Sequence, residues 1–144
     1  MALLSAFRRA ADKRLIAKLN KLPVTVRRRI AKTAAKAGQE PIREAAKQKA
    51  PVGRGKLRKQ IRIRAGGRGK PGTTISKVGV FSKTRGAVAR YVEFGRYDEK
   101  KGGLYQPPKP FLRPAHYENE KKAIKIVRQV LKSEITKFLR IYNR

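Results

Sequence analysis

The chain has 144 residues, which fits one domain, and 40% of them are apolar, which is enough for one modest core. Its 39 Lys and Arg face only 9 Asp and Glu, which gives a formal net charge of +30. The sequence has no cysteine, which excludes disulfides and thiolate metal sites, and no apolar run approaches the ~20 residues that span a bilayer. We therefore expect no membrane association and no cofactor.

The positive charge is spread along the whole chain. Residues 1–64 carry 20 basic and 3 acidic residues, and residues 65–144 carry 19 and 6. A short basic tail therefore does not explain the excess. Such a surface attracts polyanions and holds nucleic acid through counterion release. It also fits acidic protein partners in an assembly, and the two partners can coexist.

Two helices are predicted first. Residues 1–20 form an amphipathic N-terminal helical extension, because apolar side chains recur at steps of three and four. Residues 21–50 form a second helix, which Gly38 and Pro41 are expected to bend or break. The inner stripe of this second helix consists of Val26, Ile30, Ala34, Ala37, Ile42 and Ala45.

Residues 57–95 are predicted as a strand region. Apolar and basic residues alternate from Leu57 to Arg64, which is typical of a half-buried strand. The glycine-rich segment Ala65–Gly72 is a turn or loop, and Thr73–Phe81 is again extended, so a hairpin is expected. Val88–Phe94 is either a further short strand or a turn of helix.

An extended arm or loop is predicted for residues 96–113, because its prolines are incompatible with a central strand. Residues 114–142 form the last helix, whose wide apolar face suggests packing on its own domain and on a neighbour. The seam of this helix consists of Ile124, Val127, Leu131, Ile135, Phe138 and Tyr142, with Ile126, Val130 and Ile141 beside it.

The order of these elements is helices, strands and then a helix. This order predicts a single α+β domain over residues 1–144, in which the long N-terminal helix pair and the long C-terminal helix pack on a small antiparallel sheet.

Three segments, in this order, carry a resemblance to a known family. They are Ala50–Ile61 (APVGRGKLRKQI), Tyr91–Gly95 (YVEFG) and Pro107–Ala115 (PPKPFLRPA). The chain resembles the tail-component and neck family of siphophages and related prophages, whose pattern has Ala-Pro and Leu-Arg, then Glu-Phe-Gly, then Pro-Phe-Leu-Arg-Pro-Ala. Arg54 and Gln60 depart from the Thr and Ser that are usual in that family.

The resemblance implies a structural virion protein without catalysis, located in the phage neck and in the host cytoplasm during assembly. It implies a homo-oligomeric ring, six- or twelve-fold, that joins the portal or connector to the tail terminator. It also pairs Glu93 with Arg113, because both residues stand in signature segments. The three segments are expected to share one domain.

Several residues are candidates for subunit contacts. The aromatic side chains of the long loop suit an interface, where rigid amphipathic rings are favoured. The prolines fix an extended segment that loses little entropy on docking, so the arm is expected to lie over the next protomer. Phe94, Phe111 and Leu112 are core or subunit-contact residues. The full set of candidates is Glu93, Phe94, Tyr97, Tyr105, Phe111, Leu112 and Arg113.

Basic residues near the predicted hairpin are candidates for DNA contact. Alternation places two of them on one strand face that leads into a glycine-rich tip, and a ring of such tips would line a channel with positive charge. No aromatic side chain accompanies them, so we expect phosphate contacts without base readout. The candidates are Arg54, Arg62, Arg64, Arg68 and Lys70.

Motifs for catalysis are weak or absent in the sequence. His116 is the single histidine, so a histidine-based triad has at most one candidate base. The segment Asp98-Glu99-Lys100-Lys101 faintly resembles a nuclease motif, but no paired acids at metal-ligand spacing accompany it. The alternative to the phage reading is a non-viral basic protein that binds nucleic acid in a ribosome or nucleoid.

Overall fold

The computed structural model describes residues 13–52, 55–65, 74–98 and 102–142. The helices in these residues are α1 (Lys13–Asn20), α2 (Val24–Lys49), α3 (Lys56–Gln60), α4 (Lys83–Phe94) and α5 (Leu112–Tyr142). The strands are β1 (Ile61–Ala65), β2 (Ser76–Val80), β3 (Arg96–Asp98) and β4 (Gly103–Gln106). Residues 1–12 of the predicted N-terminal extension lie outside the described residues.

The α+β class is confirmed, but the strands of the described residues form two small sheets. Strand β1 pairs with β2, as the predicted hairpin required. Strand β3 pairs with β4 in antiparallel register, with Tyr97 opposite Leu104. This second hairpin lies in the segment that was predicted as an irregular arm. That prediction missed it because its strands have only three and four residues, which is too short for a periodic pattern.

Helix α4 occupies part of the strand region predicted over residues 57–95 and decides in favour of the helical alternative for Val88–Phe94. Its buried residues are Ala89, Val92 and Glu93, at the three- and four-residue spacing of one helix face. Val, Tyr and Phe have high strand propensity, so the composition of this run did not distinguish helix from strand. Helix α3 is a correction, because the predicted first strand begins with a short helix that ends at Gln60.

Helix α2 continues through Pro41 as one helix, so of the expected bend or break the break is wrong and the bend stays a prediction. Close packing explains why residue 38 of the same helix is glycine. A Cβ at this position would collide with Cγ2 of Val127 and lie 3.2 Å from the carbonyl oxygen of Ala123. Only glycine lets the last helix approach this closely.

The contacts of the chain divide it into two compact units. Unit 1 consists of Met1–Glu40, Arg64–Lys77 and Lys121–Arg144, and unit 2 consists of Pro41–Ile63 and Val78–Glu120. The core of unit 1 joins the stripe of α2 to the predicted seam of α5. Its buried residues are Leu22, Ile30, Ala34, Val127, Leu131 and Ile135.

The core of unit 2 collects short elements from distant parts of the sequence. Its buried residues are Ala46, Ala50, Ile61, Ala89, Val92, Phe111 and Ala115. All three segments that carry the family resemblance contribute to this cluster. The expectation that they share one structural unit is therefore confirmed.

Candidate assembly site

Glu93 is the central polar residue of unit 2. Its side chain is 3% exposed, and its carboxylate accepts hydrogen bonds from the backbone N–H groups of Phe111 at 2.8 Å, Leu112 at 2.9 Å and Arg113 at 3.0 Å. The first N–H groups of a helix have no partner within the helix. A carboxylate here satisfies them and is favoured by the positive end of the helix dipole. Glu93 therefore fixes the start of α5.

Arg113 completes this arrangement. Its Nε lies 3.3 Å from Oε1 of Glu93, and its Nη2 donates to the backbone carbonyl of Glu93 at 3.5 Å. The predicted pairing of Glu93 with Arg113 is confirmed. Burial of Glu93 raises the pKa of its carboxyl, but the donors of Leu112, Phe111 and Arg113 outweigh that effect, so the pKa is lowered from its ordinary value.

Arg58 caps the C-terminal end of helix α2. Its Nε donates to the carbonyl of Ala50 at 3.0 Å, and its Nη2 donates to the carbonyl of Gln48 at 3.1 Å. These carbonyls belong to the C-terminal end of α2, where cations are favoured. The chain turns back toward α2 through Gly55, which has a φ of 66°.

The proline arm, residues 107–111, is anchored on its own chain. The backbone N–H of Lys109 donates to the carbonyl of Val92 at 2.7 Å, which satisfies a carbonyl in the last turn of α4. Phe111 then enters the core and is 0% exposed. The arm therefore packs against α4 of its own chain, while Pro107–Pro110 stay exposed. That the arm also lies over a neighbouring protomer stays a prediction.

Gly95 permits the chain to leave α4 beside this arm. Its φ is 84°, a region that side chains rarely adopt. A Cβ at this position would lie 3.0 Å from the carbonyl oxygen of Gln106 and 3.3 Å from the ring of Pro108. Conformation and close packing both require glycine at the end of the Glu-Phe-Gly element.

The predicted contact residues have different environments. Phe94 and Tyr97 are 60% and 66% exposed, so both are available to a partner. Phe111 is a core residue, and Leu112 is partly buried against the same core. The side chain of Tyr105 lies outside the described residues. Glu93 and Arg113 form an ion pair with each other within the chain.

The predicted DNA contacts are described only in part. Arg62 and Arg64 are exposed in β1, and Ile61 is buried, as the alternation predicted. Arg54, Arg68 and Lys70 lie outside the described residues. No group of three or more His, Asp or Glu in the described part of the chain could hold a metal ion. No helix among the residues described is long and apolar enough to cross a membrane.

Sequence analysis missed four residues of this site. Arg58 was placed on a strand face and in the Leu-Arg signature, and no local pattern joins it to carbonyls eight and ten residues earlier in the chain. Val88 and Tyr91 are exposed on α4, three residues apart, and Arg96 lies over the ring of Tyr91 at 5.4 Å. Their spacing has meaning only once the segment is known to be helical.

The site lies in a small α+β protein. Glu93 stabilises the start of α5, Arg58 stabilises the end of α2, and the aromatic side chains next to Glu93 in the sequence are exposed. The family model described as "Bacteriophage HK97-gp10, putative tail-component" matches residues 13–95, more than half of the chain. The chain belongs to this HK97-gp10-like family of phage tail components, which confirms the resemblance. No curated protein and no solved structure matches the chain.

Proposed function

We propose that the protein is a ring-forming structural subunit of the phage neck, a head–tail connector or tail-completion protein without catalytic activity. In this role the whole chain, residues 1–144, acts as one neck domain between the portal or connector and the tail terminator. Membership in a family of phage tail components favours this role over that of a ribosome- or nucleoid-associated protein.

The observation that carries the proposal is the exposure of large apolar side chains on a chain that is otherwise strongly charged. Among the described residues these side chains are Val24, Val52, Val88, Tyr91, Phe94, Tyr97, Tyr117 and Ile141. Aromatic side chains are enriched at protein interfaces, and grouped exposed apolar residues mark interaction sites. A structural subunit that is covered by its neighbours accounts for them.

The charge of the chain sets a condition on assembly. Subunits with a net charge of +30 repel one another. A six- or twelve-fold ring therefore requires anions near its surface, either packaged DNA or acidic neighbouring proteins. We expect ring formation by the purified protein to increase with salt concentration, because screening shortens the range of repulsion to about 3 Å at 1 M salt.

The proposed DNA contacts are Arg62 and Arg64 on the exposed face of β1, together with Arg54, Arg68 and Lys70. Reversal of charge at Arg62 and Arg64 should lower the salt-dependence slope of DNA binding by about 2, since each phosphate contact contributes about 0.9. Reversal at Lys56 and Lys59, two exposed cations of α3, is the matched control. An equal loss in both variants would assign DNA binding to overall charge and not to β1.

Removal of the gene from the phage tests the proposed function. We expect DNA-filled heads and completed tails that do not join, as seen by electron microscopy, and restored particles when the protein is supplied in trans. Mass photometry of the purified protein at high salt should give a closed ring. Complete infectious particles without the protein would contradict the proposal.

A further inference from the structure

An exposed face of unit 2 combines apolar and aromatic side chains. Val88, Tyr91 and Phe94 recur every three residues on α4, and Tyr97 follows on β3. Residues three or four apart lie on the same side of a helix. We call these four residues the α4 face. All four are exposed, whereas Ala89, Val92 and Glu93 of the same helix are buried.

Arginines accompany the rings of this face. The Cζ of Arg113 lies 4.8 Å from the ring centroid of Phe94, and the Cζ of Arg96 lies 5.4 Å from that of Tyr91. Arg90 precedes Phe94 by four residues, which is one turn of helix. Cations over aromatic rings fix the orientation of the rings. Tyr and Arg are also the residue types most enriched at the energetic centres of protein interfaces.

The exposed charged side chains of α4 itself are basic. The single acidic residue of α4 is Glu93, which is buried, whereas Arg90 is exposed. A partner with carboxylates suits this face better than a basic one, because like charges across an interface cost several kcal/mol.

A second copy of the chain offers few carboxylates, because it has 9 acidic against 39 basic residues. Three acids in the described residues already pair with cations of their own chain: Glu44 with Arg43 at 2.7 Å, Glu118 with Lys49 at 2.8 Å and Glu134 with Lys137 at 3.1 Å. The second copy would also add a net charge of +30. Charge complementarity thus favours a different protein.

DNA does not explain the apolar part of the face. Phosphate contacts dominate DNA affinity and use cations and polar groups. The exposed apolar residues that recur along α4 add nothing to such contacts. Covered by a protein, however, they would be removed from water, at about 25 cal/mol for each Å² of apolar surface.

We propose that the α4 face binds an acidic surface of a different protein. Carboxylates of that surface meet Arg90, Arg96 and Arg113, and apolar side chains between the carboxylates cover Tyr91 and Phe94. The inference rests on the proposed function, in which the partner is a neighbouring protein of the virion, and it specifies the chemistry of that partner.

Site-specific photocrosslinking in assembled particles tests this inference. A photoreactive phenylalanine derivative replaces Phe94 in one phage and Tyr97 in a second, so that failure of one variant to fold leaves the other. Tyr117, which is 73% exposed on α5, is the control position outside the α4 face. Mass spectrometry then identifies the protein and the segment attached to each probe.

We expect the probes at Phe94 and Tyr97 to attach to a segment of another protein that is rich in Asp and Glu, with a yield above that at Tyr117. Arg96→Glu should reduce this yield roughly tenfold, the effect of losing an interface residue of central importance. Lys56→Glu, which makes the same charge change elsewhere in unit 2, should leave the yield unchanged.

Attachment to a second copy, to the same chain, to DNA or to a basic segment would overturn the inference, as would equal losses in Arg96→Glu and Lys56→Glu. The two proposals fail differently. If particles contain the protein but the probes attach elsewhere, only the partner of the α4 face is wrong. If complete particles lack the protein, the proposed neck function fails.

Discussion

The two units of the chain are built in different ways. Unit 1 has 23 basic and 3 acidic residues in its sequence ranges, and its core is the aliphatic seam of long helices. Unit 2 has 16 basic and 6 acidic residues, and its core joins short elements that Glu93 and Arg58 fasten at helix ends. Unit 1 thus depends on apolar periodicity, whereas unit 2 combines an apolar core with individual polar contacts at helix ends.

Removal of the largest buried side chain of unit 2 should have the strongest effect. Phe111→Ala should lower the free energy of unfolding by about 4 kcal/mol, because it leaves a cavity in a filled core. Chemical denaturation followed by circular dichroism measures this change. Phe94→Ala is the control, with an expected change below about 0.5 kcal/mol for an exposed site. Equal effects would show that Phe111 is not a core residue.

Loss of the Glu93 carboxylate is the sharpest test of the polar contacts in unit 2. Glu93→Ala should lower the free energy of unfolding by about 3 kcal/mol, because it leaves buried N–H donors of α5 without an acceptor. Amide hydrogen exchange at residues 111–113 should accelerate. Glu44→Ala removes an exposed carboxylate and should cost under about 1 kcal/mol. Unchanged exchange at residues 111–113 would contradict the role of Glu93.

The lowered pKa of Glu93 predicts how the stability of the fold changes at acid pH. The folded pKa of Glu93 lies below its ordinary value of 4.5. The stabilisation by this group is therefore complete above that value and is lost as the pH falls through the folded pKa. Glu93→Gln should flatten the fall in melting temperature below pH 4.5. A wild-type slope in the variant would assign the acid effect to other carboxyls.

Substitution of Gly95 tests how closely the proline arm approaches the end of α4. Gly95→Ala should lower the free energy of unfolding by about 2 kcal/mol, since its positive φ and its contacts both oppose a side chain. At Gly103 an added Cβ meets nothing within 4 Å. Gly103→Ala is therefore the matched control and should leave the melting temperature nearly unchanged. Equal shifts of the melting temperature in the two variants would show that close packing at Gly95 does not contribute to stability.

The smallest expected effect concerns unit 1. Gly38→Ala gains about 1 kcal/mol of helix propensity but overpacks Val127 by about 1–3 kcal/mol, so we expect a net loss of about 1 kcal/mol. A double-mutant cycle with Val127→Ala measures the coupling. The double variant should lose less than the sum of the single variants. Strict additivity would contradict the close helix contact.

The sequence predicted unit 1 better than unit 2, and the reason is physical. Val127, Leu131 and Ile135 repeat with the helical period, so their burial in a seam was expected. The state of Val88–Phe94 was left open between strand and helix, because its apolar run fits two periods and tertiary packing decides between them. The start of α4 at Lys83 was not predicted. The pairing of Glu93 with Arg113 came from the family resemblance, since no local pattern joins residues 20 positions apart.

The exposed candidates show a second limit. Phe94 and Phe111 were grouped together, yet the structure exposes the first and buries the second. Both are aromatic residues beside signature positions, and only the direction of α4 and of the arm distinguishes them. The end of α2 was predicted to within one residue, but the return of the chain that brings Arg58 back to this end was not.

Cryo-electron microscopy of the intact virion would locate this chain in the particle. We expect closed-ring density for it between the portal vertex and the tail, with the α4 face against a different protein. A chain located along the tail tube or inside the head, or absent from the particle, would contradict it.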